Sequence, residues 1–153
     1  MVDMGCEPGS HTWDHTYITK LSQEGLFANL NRLDDTLQSI AGVRTVTMRP
    51  PGGFVSDGAK QNLAKKGVPA VLWSIDTLDW KTKNAQNTIN VVLNSVKDGD
   101  IILMHDLYST SADAAAVLIP ELKRRGYQLV TVSEMASLRG GMTPGQVYHS
   151  FRP

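Results

Sequence analysis

Apolar residues recur along much of this chain at the three- and four-residue steps of a helix. The longest such face consists of Leu26, Leu30, Leu33, Leu37 and Ile40. Ser22 supplies an N-cap before this face and Gly42 a left-handed stop after it, so the pattern predicts one long amphipathic helix. Shorter helices are predicted at about residues 56–66, 84–96, 111–125 and 133–138. Pro120, inside the third of these segments, predicts a kink or a break.

Short segments of apolar and β-branched residues lie between these helices and predict strands. They are residues 6–10, 43–48, 70–75, 101–104 and 128–132. Two of them, 70–75 and 101–104, are almost continuously apolar, as expected for strands that are buried on both faces. Strict alternation of strands with helices predicts an α/β fold with a parallel sheet or barrel.

The composition excludes several classes of function. At 153 residues the chain is expected to form one domain. Its 15 basic and 15 acidic residues balance, so we expect no nucleic-acid partner. The apolar runs, such as residues 101–104, are too short to span a membrane. Cys6 is the single cysteine, which excludes an internal disulfide and a cysteine-rich zinc site.

The two ends of the chain carry different signals. Residues 1–5, which finish at a glycine, are typical of the last turn of a helix, so we expect further elements upstream of Met1. The same residues lack the basic and apolar stretches of a signal peptide, which leaves the compartment open. Residues 140–153 are polar and contain glycine, and we predict a tail here with His149 on its surface.

Chemically capable side chains follow directly after four of the predicted strands. They are His11, Arg49, Asp76 and His105. The carboxyl ends of parallel strands meet at one edge, where α/β proteins build their active sites. His15 lies four residues after His11, and two imidazoles at this spacing on a helical turn can reach one metal ion.

Four motifs contain these residues, and in this order they resemble the polysaccharide deacetylases of carbohydrate esterase family 4 (the NodB-homology domain). The motifs are residues 11–15, 49–52, 76–80 and 103–105. The resemblance extends from about Gly5 to Val132. It implies that residues 1–139 are a catalytic domain, in part, and that the strands belong to a distorted (β/α) barrel that is truncated at its N-terminus.

The resemblance implies a metal and oxyanion site in the first half of the chain. His11 and His15 are similar to two ligands of the family's divalent ion, zinc or cobalt. Arg49 matches the arginine that holds the catalytic aspartate through a charge-assisted pair. Gly52 stands where the family usually has an aromatic residue, and its backbone amide would donate to the developing oxyanion.

The same resemblance implies that the second half of the chain supplies the general acid. His105 matches the residue that protonates the leaving amine, and such a histidine needs a nearby carboxylate. Both Asp79 and Asp106 are near enough in sequence, and the resemblance favours Asp79. Trp80 resembles the wall of the substrate groove, and Leu103 resembles the contact for the acetyl methyl group.

The family's first motif, a threonine-phenylalanine-aspartate-aspartate-glycine stretch, is absent from this sequence. Its aspartates supply the general base and the third metal ligand. Asp34 and Asp35 cannot replace them, because they lie in the middle of a predicted helix where we expect solvated side chains. Asp14 would approach the ion only if residues 11–15 were helical. We therefore expect a fragment with impaired activity.

The resemblance implies a metal-dependent hydrolase that removes acetyl groups from N-acetylated glycans, such as peptidoglycan or chitin, outside the cell or at the cell wall. Acetyl esters of xylan are also processed by the family, and the sequence leaves this choice and the oligomeric state open. One alternative is a non-catalytic carbohydrate-binding remnant of a deacetylase. Another is a different metal-dependent amidohydrolase on an α/β barrel.

Overall fold

The computed structural model describes all 153 residues and divides them into two compact units. Unit 1 contains residues 1–72 and 136–148, and unit 2 contains residues 73–135 and 149–153. The helices are α1 (Gln23–Ala41), α2 (Asp57–Lys66), α3 (Asp79–Thr82), α4 (Ala85–Ser95), α5 (Ser109–Arg124) and α6 (Val132–Ser137). The strands are β1 (Ala70–Val71), β2 (Ile75–Asp76), β3 (Ile102–Leu103) and β4 (Val147–Tyr148). None of the helices combines the length and apolar character that a membrane span requires.

Helix α1 begins and ends where the sequence predicts. The Ser22 hydroxyl accepts a hydrogen bond from the Gly25 amide at 3.1 Å, and Gly42 ends the helix in the left-handed conformation. Leu26 and Leu30 are fully buried. Ile40, expected on the same face, is 78% exposed, because the apolar face extends one turn beyond the core that covers it.

Unit 1 contains a parallel arrangement of short backbone pairings. Ser10 pairs with Met48, and Met48 pairs with Ala70, both in parallel. Strand β1 then pairs in parallel with β4. The predicted strands at 6–10 and 43–48 are therefore reduced to single bridges, while the predicted parallel direction is confirmed. The core residues around this ladder are Ile18, Leu26, Leu30, Met48, Ala59, Leu63 and Ala70.

Unit 2 is built on the parallel pair β2 and β3, in which Ile75 lies opposite Ile102 and Asp76 opposite Leu103. Helices α4 and α5 pack together through a core of Val92, Ala114, Leu118 and Leu122. Helix α5 continues through Pro120, so the chain does not break there. Leu118 and Leu122, on either side of the proline, are both buried in this core.

The C-terminal third differs most from the sequence prediction. Residues 128–131 form no strand, and Leu129 and Val130 are 49% and 38% exposed. The strand that joins the sheet of unit 1 is instead β4, within the segment predicted as a tail. In the same segment the Phe151 side chain is buried in unit 2, and its amide donates to the Gly99 carbonyl at 2.7 Å. That the strands form part of a barrel stays a prediction.

Candidate active site

The residues with predicted roles fall into two groups, one in each unit. Unit 1 contains His11, His15, Arg49 and Gly52. Unit 2 contains Asp79, Trp80, Leu103 and His105. Each group is held by its own hydrogen bonds, and the two are described in turn.

The two histidines of unit 1 lie side by side, with ring centroids 4.9 Å apart and ring planes at 71°. Nδ1 of His11 lies 2.6 Å from the backbone oxygen of Arg49. Because a carbonyl oxygen only accepts, this nitrogen carries the proton, and Nε2 carries the lone pair. A ligating histidine usually has this arrangement, since the second hydrogen bond fixes the tautomer and the ring orientation.

The loop that brings the histidines together is not helical, contrary to the geometry first considered for it. Thr12 and His15 both have a φ of 61°, in the left-handed region that side chains with a Cβ rarely adopt. Asp14 turns away to other partners, with its Oδ1 accepting from the Thr16 amide and from Asn29 Nδ2, both at 3.1 Å. These hydrogen bonds, that of Thr16 first, hold the pKa of Asp14 below its usual value.

The donor set fits part of a metal site. Two imidazoles are suitable ligands for zinc or cobalt. No group of three histidine, cysteine, aspartate or glutamate side chains in the chain is arranged to hold an ion. His11 and His15 therefore fit two positions of such a site, and the chain supplies no third side chain of these types.

The Arg49 side chain is one of three in the chain with a buried polar atom that lacks a partner. Its Nε, the Ser10 hydroxyl and the Thr12 hydroxyl are all buried without a hydrogen bond. Burial also lowers the pKa of Arg49. The Arg49 amide donates to the Ser10 carbonyl at 2.7 Å, so these atoms belong to two adjacent segments. Unsatisfied buried donors are costly, and the free Nε of Arg49 is a donor suited to a carboxylate.

Gly52, where the resemblance leads us to expect an aromatic residue, has a backbone conformation that favours glycine. Its φ is 66°, and a Cβ built on it would lie 2.7 Å from the ring of Phe54. Phe54 in turn packs against Tyr17, with ring centroids 5.2 Å apart. A Cβ at position 52 would therefore require the Phe54 ring to shift, and sequence analysis did not single out this aromatic residue.

The group in unit 2 is centred on the carboxylate of Asp79, which is 1% exposed. Its Oδ1 lies 2.8 Å from His105 Nδ1 and 2.9 Å from the Trp80 amide. Its Oδ2 accepts from the His105 amide and the Ser111 hydroxyl, both at 2.6 Å. Asp106, the other carboxylate considered for His105, is exposed. Of the two, Asp79 is the one that contacts the histidine.

Opposing effects act on the ionisation of Asp79. Burial raises its pKa, but the hydrogen bonds from Ser111 and His105 outweigh this effect, so the pKa lies below the usual value for an aspartate. The ionised carboxylate requires the proton of His105 to be on Nδ1, which leaves Nε2 as the atom that can exchange a proton with a substrate.

Strand pairing explains how the two motifs of unit 2 meet. Because Asp76 lies opposite Leu103 in parallel strands, the chain continues from both in the same direction, toward Asp79 and His105. The Leu103 side chain is buried, whereas Trp80 is 45% exposed. Ser111, the remaining partner of Asp79, was missed by sequence analysis, because a serine in the first turns of a helix carries no distinguishing signal.

Comparison with known proteins identifies the class of this chain. A sequence model described as Polysaccharide deacetylase matches residues 1–71. The solved T48 deacetylase with substrate is 39% identical, with a TM-score of 0.89, and the match covers 97% of this chain and 72% of that one. The chain therefore belongs to the polysaccharide deacetylases of carbohydrate esterase family 4.

Individual relatives differ in the substrates for which they are named. Peptidoglycan-N-acetylmuramic acid deacetylase PdaC of Bacillus subtilis is 37% identical over 91% of this chain, which spans only 29% of that protein. A family 4 acetyl xylan esterase from Clostridium thermocellum, solved in complex with a cobalt ion, is 28% identical with a TM-score of 0.87 over 98% of this chain and 75% of that one. These relatives are hydrolases.

Proposed function

We propose that this chain is the catalytic part of a metal-dependent deacetylase that removes acetyl groups from an N-acetylated glycan, with peptidoglycan or chitin-like chains as the substrate class. The observation that carries the proposal is the buried Asp79 carboxylate in contact with His105 Nδ1 at 2.8 Å. Carbohydrate binding alone needs no general acid. A histidine held by an ionised carboxylate is the arrangement that proton transfer requires.

Unit 1 would hold the metal through His11 and His15. When bound, zinc or cobalt lowers the pKa of a coordinated water, so that a strong nucleophile exists at neutral pH. The Gly52 amide donates to the carbonyl oxygen as it gains negative charge. Arg49, with its buried unpartnered Nε, would orient a carboxylate base, which this sequence itself does not supply.

Unit 2 would complete the hydrolysis. The oxygen of water bonds to the acetyl carbon as the water gives up a proton, and the carbon–nitrogen bond breaks. His105, protonated on both ring nitrogens, gives its Nε2 proton to the leaving amine, and the proton released by water restores the histidine. Asp79 holds the ring and its tautomer during this transfer. Trp80 lies along the sugar chain, and Leu103 contacts the acetyl methyl group. The products are acetate and a glycan with a free amine.

We further propose that this chain alone is impaired. The aspartate pair that the family uses as general base and third ligand is absent from the sequence, and no third metal-binding side chain replaces it. Loss of a general base typically reduces a rate by about 10²–10⁴-fold. The same incomplete donor set favours the alternative function, a non-catalytic glycan-binding remnant.

Two properties of the relatives support the setting proposed for this activity. PdaC is named for a peptidoglycan substrate, so we propose a cell-wall or extracellular location and an acetylated glycan as partner. The xylan esterase was solved with cobalt, which supports a divalent ion at His11 and His15.

Acetate release at high enzyme concentration tests the proposal. The substrates are N-acetylglucosamine oligomers and peptidoglycan, with cobalt or zinc added. His105→Ala should abolish the release, whereas His149→Ala, which alters an exposed histidine of the same unit, should not. Release that is unchanged in His105→Ala would refute the assigned machinery. Glycan binding without any metal-dependent release would favour the remnant.

A further inference from the structure

The loop of residues 11–15 adopts a conformation that its own sequence does not favour. Thr12 and His15 both have positive φ, and neither is a glycine, so the backbone is strained at two positions within five residues. Strain of this kind persists only when surrounding contacts hold it. One contact fixes the start of the loop, where His11 Nδ1 donates to the Arg49 carbonyl.

A single side chain on α1 holds the middle of the loop. The Oδ1 of Asn29 accepts a hydrogen bond from the Trp13 amide at 2.6 Å. Its Nδ2 donates to Asp14 Oδ1 at 3.1 Å, and this same oxygen accepts from the Thr16 amide. Asn29 therefore bridges Trp13 and Asp14, two of the three residues between the proposed metal-binding histidines, and uses both ends of its amide to do so.

A second contact from the same face of α1 supports this bridge. The guanidinium carbon of Arg32 lies 4.2 Å from the centre of the Trp13 ring, within the range of a cation–π interaction. Asn29 and Arg32 are three residues apart, which places them side by side on the helix. Leu26 and Leu30 on α1 are fully buried, so the element that carries both contacts is anchored in the core.

We propose that Asn29 is a positioning residue for the metal site, since it fixes the strained backbone that brings His11 and His15 to one ion. Without its bridge, Trp13 and Asp14 lose their connection to α1, and the loop can relax toward ordinary backbone angles that separate the imidazoles. The inference rests on the proposed metal binding and adds one claim to it. The spacing of His11 and His15 is set by the side-chain amide of Asn29, which belongs to a helix that supplies no metal ligand.

The variants exploit the two ends of the amide. Asn29→Asp retains an acceptor for the Trp13 amide but places a second carboxylate against Asp14. The double variant N29D/D14N exchanges donor and acceptor, so the bridge can form again in the reverse direction. Asn31→Asp is the matched control, because Asn31 is an exposed residue of the same helix that accepts a hydrogen bond from Lys66 Nζ at 2.6 Å.

Calorimetric titration of the full chain with cobalt(II) measures the effect. Partners that orient a metal ligand typically contribute about 10–100-fold to affinity, so N29D should weaken cobalt binding by about tenfold or more. N29D/D14N should recover most of the affinity, and N31D should match the wild type. Melting temperatures and circular dichroism should be similar in all four proteins. Equal cobalt affinity in N29D and the wild type would overturn the inference while leaving the proposed function intact.

A second measurement tests the bridge without metal. Asn29→Ala removes the acceptor of the Trp13 amide, so amide hydrogen exchange of Trp13 should be faster in this variant than in the wild type and unchanged in N31D. Unchanged exchange in Asn29→Ala would overturn the inference. If the wild type binds cobalt no more tightly than His11→Ala does, the proposed function fails. The exchange experiment still decides whether Asn29 holds the loop.

Discussion

Replacing Ser111 with alanine removes one hydrogen bond from Asp79, a buried charged group of unit 2. Its hydroxyl donates to Asp79 Oδ2 at 2.6 Å, and the two residues are 3% and 1% exposed. Water therefore cannot substitute for the lost donor. Oδ2 is left with a single partner, the His105 amide.

The expected cost follows from the charge of the acceptor. A hydrogen bond to an ionised group contributes about 1.5–3 kcal/mol to stability, so Ser111→Ala should lower the free energy of unfolding by about this amount. Ser109→Ala is the matched control, because Ser109 belongs to the same helix and is exposed. Exposed substitutions usually change stability by less than about 0.5 kcal/mol.

The pH dependence gives an independent test of the same reasoning. The folded-state pKa of Asp79 is lowered, burial being outweighed by the Ser111 and His105 hydrogen bonds. Its ionised form therefore contributes stability above the unfolded pKa of about 3.9, and this contribution is lost as pH falls through the lowered folded value. Because Ser111→Ala removes part of it, the difference from the wild type should be constant above about pH 5 and should narrow below about pH 4.

Urea denaturation of both variants between pH 3 and 7 provides the measurement, and two results would refute the reasoning. The first is a stability of Ser111→Ala equal to that of Ser109→Ala at pH 7. The second is a difference from the wild type that widens on acidification, since this would mean that the hydroxyl does not stabilise an ionised carboxylate.

Three further substitutions test other parts of the fold by chemical denaturation. Gly52→Ala should lower the free energy of unfolding more than Gly42→Ala, because both positions have positive φ but only position 52 would bring a Cβ within 2.7 Å of a neighbouring side chain, the Phe54 ring. Adding Phe54→Ala to Gly52→Ala should remove this extra loss of stability. Equal losses in the two glycine variants would contradict the clash. Asp34→Ala should cost about 1–3 kcal/mol, because its Oδ1 accepts from both the amide and the hydroxyl of Thr45. Its neighbour Asp35 makes an exposed ion pair with Arg44, so Asp35→Ala should cost no more than about 1 kcal/mol. A larger loss of stability in Asp35→Ala than in Asp34→Ala would contradict the structural role assigned to Asp34. Phe151→Ala should cost about 3–5 kcal/mol, since the side chain is 6% exposed, whereas Phe54→Ala, at a ring 55% exposed, should cost far less; equal losses would show that residue 151 is not part of the core.

Local sequence signals located the helices well because their caps are encoded nearby. Ser22, Ser56 and Asn84 each cap the helix that the pattern predicts. Strands were located less well, since pairing depends on distant residues. Residues 128–131 have the composition of a strand and no partner strand, whereas Val147 pairs with Ala70 from a segment that is polar and rich in turn residues. Asp34 was expected to be solvated and is buried, because Thr45 lies against it after the helix ends.

Sequence analysis found the residues with proposed chemical roles more readily than the residues that hold them in place. Side-chain types and order indicated His11, His15, Asp79 and His105, because metal binding and proton transfer restrict the residues that can perform them. The supporting residues are restricted by position and not by type. Any serine at position 111 or asparagine at position 29 is unremarkable until the fold places it within 3.1 Å of its partner.

His11 and His105 share a hydrogen-bonding arrangement and differ in one respect that fits their proposed roles. In both, Nδ1 is held by an oxygen, at 2.6 Å for His11 and 2.8 Å for His105, so Nε2 is the nitrogen that acts. The oxygen partner of His11 is a neutral backbone carbonyl, which fixes the tautomer and so suits a metal ligand. The partner of His105 is the buried carboxylate of Asp79, which keeps a proton on Nδ1 and leaves Nε2 to exchange a proton with a substrate. The proposed metal ligand His11 and the proposed general acid His105 therefore differ in the charge of the acceptor that holds Nδ1.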